Sequence, residues 1–135
     1  MTIPRSVRYG VGRVLAKRTT GLDRDAMKEL ELYVDNDSDL YHRQTVPIEK
    51  NLYLKIVKGT YSKALAPKMW AHLLESGAKK YAKEFSVGTD WHVIFPKAER
   101  DALAEEYARA FERAVANDEY RHLDKTLPKK YRRTH

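Results

Sequence analysis

From Ala26 onward the apolar positions return every three or four residues. Ala26, Met27, Leu30, Tyr33 and Val34 fall on one side of a helix drawn over residues 24–35. The run TTGLDRD supplies its start, with Asp23 as N-cap after a glycine, and DNDSD supplies its stop. From Asp39 the set Leu40, Tyr41, Ile48, Leu52 and Ile56 repeats the helical spacing, interrupted by Pro47. Proline lacks a backbone donor and crowds the preceding turn, so the pattern predicts a short helix over 39–44 and a second over 47–58, capped by Gly59. The stretch LYLKIVKG also fits the period of a strand; its length and its proline-led start favour helix.

The longest periodic segment runs from Ser62 to Phe85, with a start near residue 66 if Pro67 sits in the first turn. Leu65, Met69, Leu73, Gly77, Tyr81 and Phe85 follow at spacings of four, flanked by Trp70, Leu74 and Ala78. A glycine inside a helix costs about 1 kcal/mol relative to alanine, so Gly77 implies close approach of another backbone. SVGTDWHVIFP then reads as a non-helical link held to the core by Trp91, Val93, Ile94 and Phe95. Pro96 leads a last helix over 97–117, whose stripe is Leu103, Tyr107, Phe111 and Val115, with Asn117 and Asp118 ending it. No strand-pairing signal or repeat interrupts this series. The expected fold is all-α: a single small multi-helix domain over residues 19–120, with extended basic arms at residues 1–18 and 121–135.

Charge is what separates the arms from the body. The 135 residues carry a net +7, yet residues 1–18 and 121–135 each carry +5, which leaves −3 for the segment between them. With 42% hydrophobic and 33% charged residues the chain suits one solvated domain with a real core. No apolar run approaches the roughly eighteen residues of a membrane span, so no membrane partner is expected. The absence of cysteine excludes disulfides, thiolate metal sites and a cysteine nucleophile, and leans towards the cytoplasm. The Arg-rich, acid-free start also fits an organelle transit peptide, a lesser alternative.

The motifs that suggest chemistry are weak. DNDSD opens like a calcium loop, but Leu40 and Val46 stand where the loop needs glycine and glutamate, so capping explains it better. YGVG lacks the strand–loop–helix context and the further glycines of a nucleotide site. His42, His72, His92, His122 and His135 form no pair at metal-ligand spacing, and His92, beside Trp91, is expected to be buried and hydrogen-bonded. A helix-turn-helix centred on Gly77 would put Leu73 where a small residue is needed and Lys83 where an apolar one is needed; one continuous helix is simpler. No nucleophile, carboxylate pair, metal or cofactor site emerges, and the chain is expected not to be an enzyme.

The arms remain. Arg5, Arg8, Tyr9, Arg13, Lys17 and Arg18 at one end, and Lys129, Lys130, Tyr131, Arg132 and Arg133 at the other, interleave guanidinium and ammonium groups with tyrosines. Such segments contact phosphate oxygens and stack on bases or sugars. Lys68, Lys79, Lys80 and Lys83 on the long helix offer a secondary face, for which a solvated surface with Glu75 paired to Lys79 is the plainer reading.

Glu29–Tyr33, Asp39-Leu40-Tyr41, Pro47-Ile48 with Asn51-Leu52, Lys58-Gly59 with Tyr61, and Gly77-Ala78-Lys79 through Phe85 make up a pattern over about the middle half of the chain. In these residues the chain resembles short helical proteins encoded by bacteriophages and plasmids. This resemblance implies a viral or mobile-element origin, in the host cytoplasm or the virion, and assigns no site residue.

Together these features lead us to expect binding of DNA or RNA through the arms with little sequence specificity. If six phosphates are neutralised, log K should fall with log salt at a slope of about −5. The alternative is a virion assembly protein, or an inhibitor of a host protein, that works through an acidic protein surface or by self-association.

Overall fold

The computed structural model of the chain describes residues 23–86 and 88–132. Helix α1 spans Asp23–Asn36, so the expected cap Asp23 is its first residue. Asp37 then caps α2, Ser38–Leu40, its side chain accepting the Leu40 N–H at 2.8 Å. DNDSD is thus a helix stop followed by a helix start.

The break expected at Pro47 is absent. A π-helical turn, Tyr41–Thr45, joins α2 directly to α3, Val46–Lys58, with Pro47 in the first turn of α3. In a uniform α-helix the proline ring would press on the carbonyl four residues earlier. The wider π turn, in which the Val46 N–H reaches Tyr41 O, loosens that contact and lets one continuous rod pass the proline. Gly59 ends it at φ +80°, donating to Ile56 O while Thr60 donates to Lys55 O, the two bonds of a Schellman motif.

Helix α4, Ala66–Glu84, is the spine. It packs mainly on α6, Lys97–Ala116, and α1 lies across it. Leu73, Leu74, Ala78 and Trp70 from α4 meet Leu30 and Val34 of α1, Leu52 of α3, and Leu103, Ala104 and Phe111 of α6 in one core. At Gly77 the close approach comes from a side chain rather than a backbone. A Cβ built there collides with Val34 Cγ2 and sits 3.7 Å from both Leu30 Cδ1 and Leu40 Cδ1. Leu65, placed in the stripe by its spacing, precedes α4 and is exposed.

The α4–α6 link is partly helical: a 3-10 turn at Gly88–Asp90 and then α5, Trp91–Ile94. Phe95 pins it, fully buried, whereas Val93 and Ile94 face outward. His92, expected to be buried, is also exposed, because the short helix turns its side away from the core. Arg100 completes the anchor from α6: its Nε donates to Phe95 O at 2.7 Å and its guanidinium lies 5.1 Å from the Trp91 ring centre. Among the described residues there is no strand, and no helix is long and apolar enough to cross a membrane.

Candidate nucleic-acid interface

Beyond α6 the chain departs from the extended arm expected there. A second Schellman turn, with Asp118 at φ +61°, reverses its direction. Two 3-10 turns follow, Arg121–Thr126 and Lys129–Tyr131. Leu123, Leu127 and Tyr131 pack onto the helical body, the first two buried. Spaced four apart, they make an apolar stripe, and burying it outweighs the solvation of a free basic strand.

Polar contacts hold the same path. Tyr120 donates to Glu49 on α3 at 2.7 Å, and Tyr53 donates to Asp124 at 2.5 Å. Arg132 folds back, giving hydrogen bonds to Leu127 O at 2.9 Å and Lys125 O at 3.2 Å. Its guanidinium therefore fixes the tail as well as charging it.

The remaining cations point away from the body. Lys125, Lys129 and Lys130 are exposed, and among the described residues no carboxylate pairs with them. Lys58, the last residue of α3, joins them: its Nζ lies 5.9 Å from the centre of the Tyr131 ring, and Lys130 Nζ lies 5.1 Å from it. The tail and the end of α3 thus make a small cationic platform around one half-buried tyrosine. Lys58 went unnoticed in the sequence because a helix end and a tail seventy residues later share no local pattern. The spacing of Leu123, Leu127 and Tyr131 was the legible sign that this tail docks.

Of the expected nucleic-acid residues, Lys129, Lys130, Tyr131 and Arg132 come together here. Arg133, and Arg5, Arg8, Tyr9, Arg13, Lys17 and Arg18 of the N-terminal arm, lie outside the described residues. Two of the four lysines of the secondary face are committed to the chain's own carboxylates. Lys79 pairs with Glu75 at 3.2 Å, and Lys80 with Asp37 at 2.8 Å and Asp39 at 3.4 Å. The Asp37 hydrogen bond is the main cause that raises the Lys80 pKa above 10.5. Lys68 and Lys83 remain exposed.

One groove has the opposite sign. Of about 1140 Å³ and set between α1, the π turn and α6, it is lined by Glu31, Asp35, Asp37, Glu49, Glu106 and Glu119, with Arg113 the one arginine among the described residues that line it. Burial raises the Glu49 pKa above its ordinary 4.5, opposed by the Tyr120 hydrogen bond and the nearby His122. Burial, with the charge of Glu49, also pushes the Tyr120 hydroxyl upward, so it stays a donor. Among the described residues the charged lining of this groove is mainly acidic, whereas the platform around Tyr131 is cationic. Among the described residues no three His, Cys, Asp or Glu side chains gather as a metal site.

Comparison with protein-family models, with curated proteins and with solved structures finds no match for the chain.

Proposed function

We propose that the chain is a non-enzymatic nucleic-acid-binding protein that contacts phosphates with little sequence specificity. One observation carries this reading: Lys58 at the end of α3 and Lys130 on the folded tail flank Tyr131, Lys125 and Lys129 are exposed on the same tail, and none of the four has a carboxylate partner among the described residues. A flexible basic tail would serve solubility equally well. A tail fixed by Leu127 and Arg132 keeps its charges concentrated, at a self-repulsion cost that bound phosphates would relieve. The acid-free N-terminal arm adds a further +5 to the chain. The resemblance of the middle segment to phage and plasmid proteins, which implies no function of its own, would set this binding in the host cytoplasm or the virion.

The test is anisotropy of labelled, mixed-sequence DNA and RNA oligonucleotides across a salt series. Changing the four lysines to glutamine should weaken binding and flatten the slope of log K against log salt by about 3, at roughly 0.7 per phosphate on a single strand. Absence of binding at low salt, or an unchanged slope in the variant, refutes the proposal.

The acidic groove favours a second reading, in which the protein assembles with or inhibits a partner that presents a basic segment. Reversing Glu106 and Glu119 to lysine should then abolish partner capture and leave oligonucleotide binding no weaker.

A further inference from the structure

We infer that the platform around Tyr131 takes single-stranded rather than duplex nucleic acid, an inference that rests on the nucleic-acid reading above. Tyr131 is half-buried, so part of its ring remains at the surface while the rest packs on the body. Its position is set from both sides in sequence. Leu127 anchors the turn before it, and Arg132, the next residue, is tied by two hydrogen bonds to backbone carbonyls. The ring is thus presented on a fixed base and needs little ordering when a ligand arrives.

Ammonium groups from two separate elements, Lys58 on α3 and Lys130 on the tail, stand within 6 Å of the ring centre. Both ammonium groups lie over the ring, so an unpaired base that stacks there takes their place and leaves them to meet the phosphates on either side of it. In a duplex the bases are already stacked on one another, so the tyrosine ring would gain nothing from it.

The duplex alternative needs an element that can enter a groove with its charges free. The described helices offer this only in part: Lys50 and Lys55 on α3 and Lys68 and Lys83 on α4 are exposed with no carboxylate partner among the described residues, whereas the other cations of α4 and α6 are largely paired. On α4 the ammonium groups of Lys79 and Lys80 are paired with Glu75, Asp37 and Asp39. On α6 Lys97 is paired with Asp101 at 2.7 Å and Arg109 with Glu105 at 3.7 Å. The platform itself is built from 3-10 turns lying flat on the body, too short and too closely packed to penetrate a groove.

The experiment is a competition with the full chain, at low salt, between a twelve-nucleotide oligothymidine, its RNA counterpart and a twelve-base-pair duplex. Single strands should bind at least tenfold more tightly than the duplex. Tyr131→Leu keeps an apolar group against the body and removes the aromatic face. It should cost single-strand affinity about 5- to 100-fold and leave duplex binding and the melting temperature unchanged. Tyr131→Trp should retain the preference. Equal binding of single strand and duplex, or a leucine variant with undiminished single-strand affinity, overturns this inference while leaving the wider reading intact. Failure of every oligonucleotide to bind overturns the wider reading instead.

Discussion

Substituting Gly77 by alanine poses a contest whose outcome the structure decides. In a solvated helix interior the change would stabilise the fold by about 1 kcal/mol. Here the added methyl group runs into Val34 Cγ2, with Leu30 and Leu40 close behind it. Val34 is 2% exposed and sits in α1, where a β-branched side chain has essentially one rotamer. It has nowhere to turn, so the helices must separate slightly. Overpacking of this kind costs about 1–3 kcal/mol, and the net effect of Gly77→Ala is a loss of about 0–2 kcal/mol. Removing the obstruction reverses the sign. Val34→Ala alone should cost about 2 kcal/mol for its two buried methyl groups. In that background Gly77→Ala meets no Cγ2, partly fills the void and keeps its helical gain, so it should stabilise by about 1 kcal/mol. Urea unfolding of the four proteins gives the coupling directly. An equal effect of Gly77→Ala in both backgrounds would refute the packing argument.

Three further outcomes follow from the same geometry. Burial raises the Glu49 pKa, so the folded chain holds that proton more tightly than the unfolded one. Its contribution to stability is therefore fully present below pH 4.5 and is lost as pH rises through the raised value. Glu49→Gln keeps an acceptor for Tyr120, so its stability relative to the parent should climb through that window and then level off; thermal melts at several pH values that run parallel would contradict this. Leu127→Ala should loosen the tail by about 2 kcal/mol, enough to speed tryptic cleavage after Lys125 and Lys129 roughly 30-fold. Mass spectrometry of timed digests reads that change, and an unaltered rate would mean that Leu127 does not anchor the tail. Arg100→Ala removes the hydrogen bond to Phe95 O and the stacking on Trp91, an expected loss of about 2–4 kcal/mol in urea unfolding. A loss below about 0.5 kcal/mol would show that the α4–α6 link is held by Phe95 alone.

The helices were legible in the sequence wherever burial is one-sided and local. Leu30, Tyr33 and Val34, or Leu103 and Phe111, announce their faces by spacing, and the ends at Gly59 and near Asn117 follow from residues that tolerate left-handed or turn conformations. What escaped depends on partners distant in sequence. Pro47 reads as a break until the π turn before it is seen, and such a turn has no composition of its own. Gly77 announced close contact, but its partner was the side chain of Val34. Apolar Val93 and Ile94 were assigned to the core, yet a four-residue helix can bury only part of its circumference, and Phe95 takes that place. In the tail, the dense charge of LPKKYRRTH concealed the apolar spacing that docks it. The candidate interface was half legible: Lys129, Lys130, Tyr131 and Arg132 were named, whereas its folded state and the contributions of Lys58 and Lys125 required three dimensions.

The central claim is that Lys58 and the docked tail form one phosphate-binding surface. Lysine reactivity mapping of the full chain, acylated with and without a saturating single-stranded oligonucleotide and read by mass spectrometry, tests it most directly. The account predicts strong protection of Lys58, Lys125, Lys129 and Lys130 together, with Lys63, Lys97 and Lys79 modified as before. Protection confined to the α4 lysines, or of the tail lysines without Lys58, would contradict it.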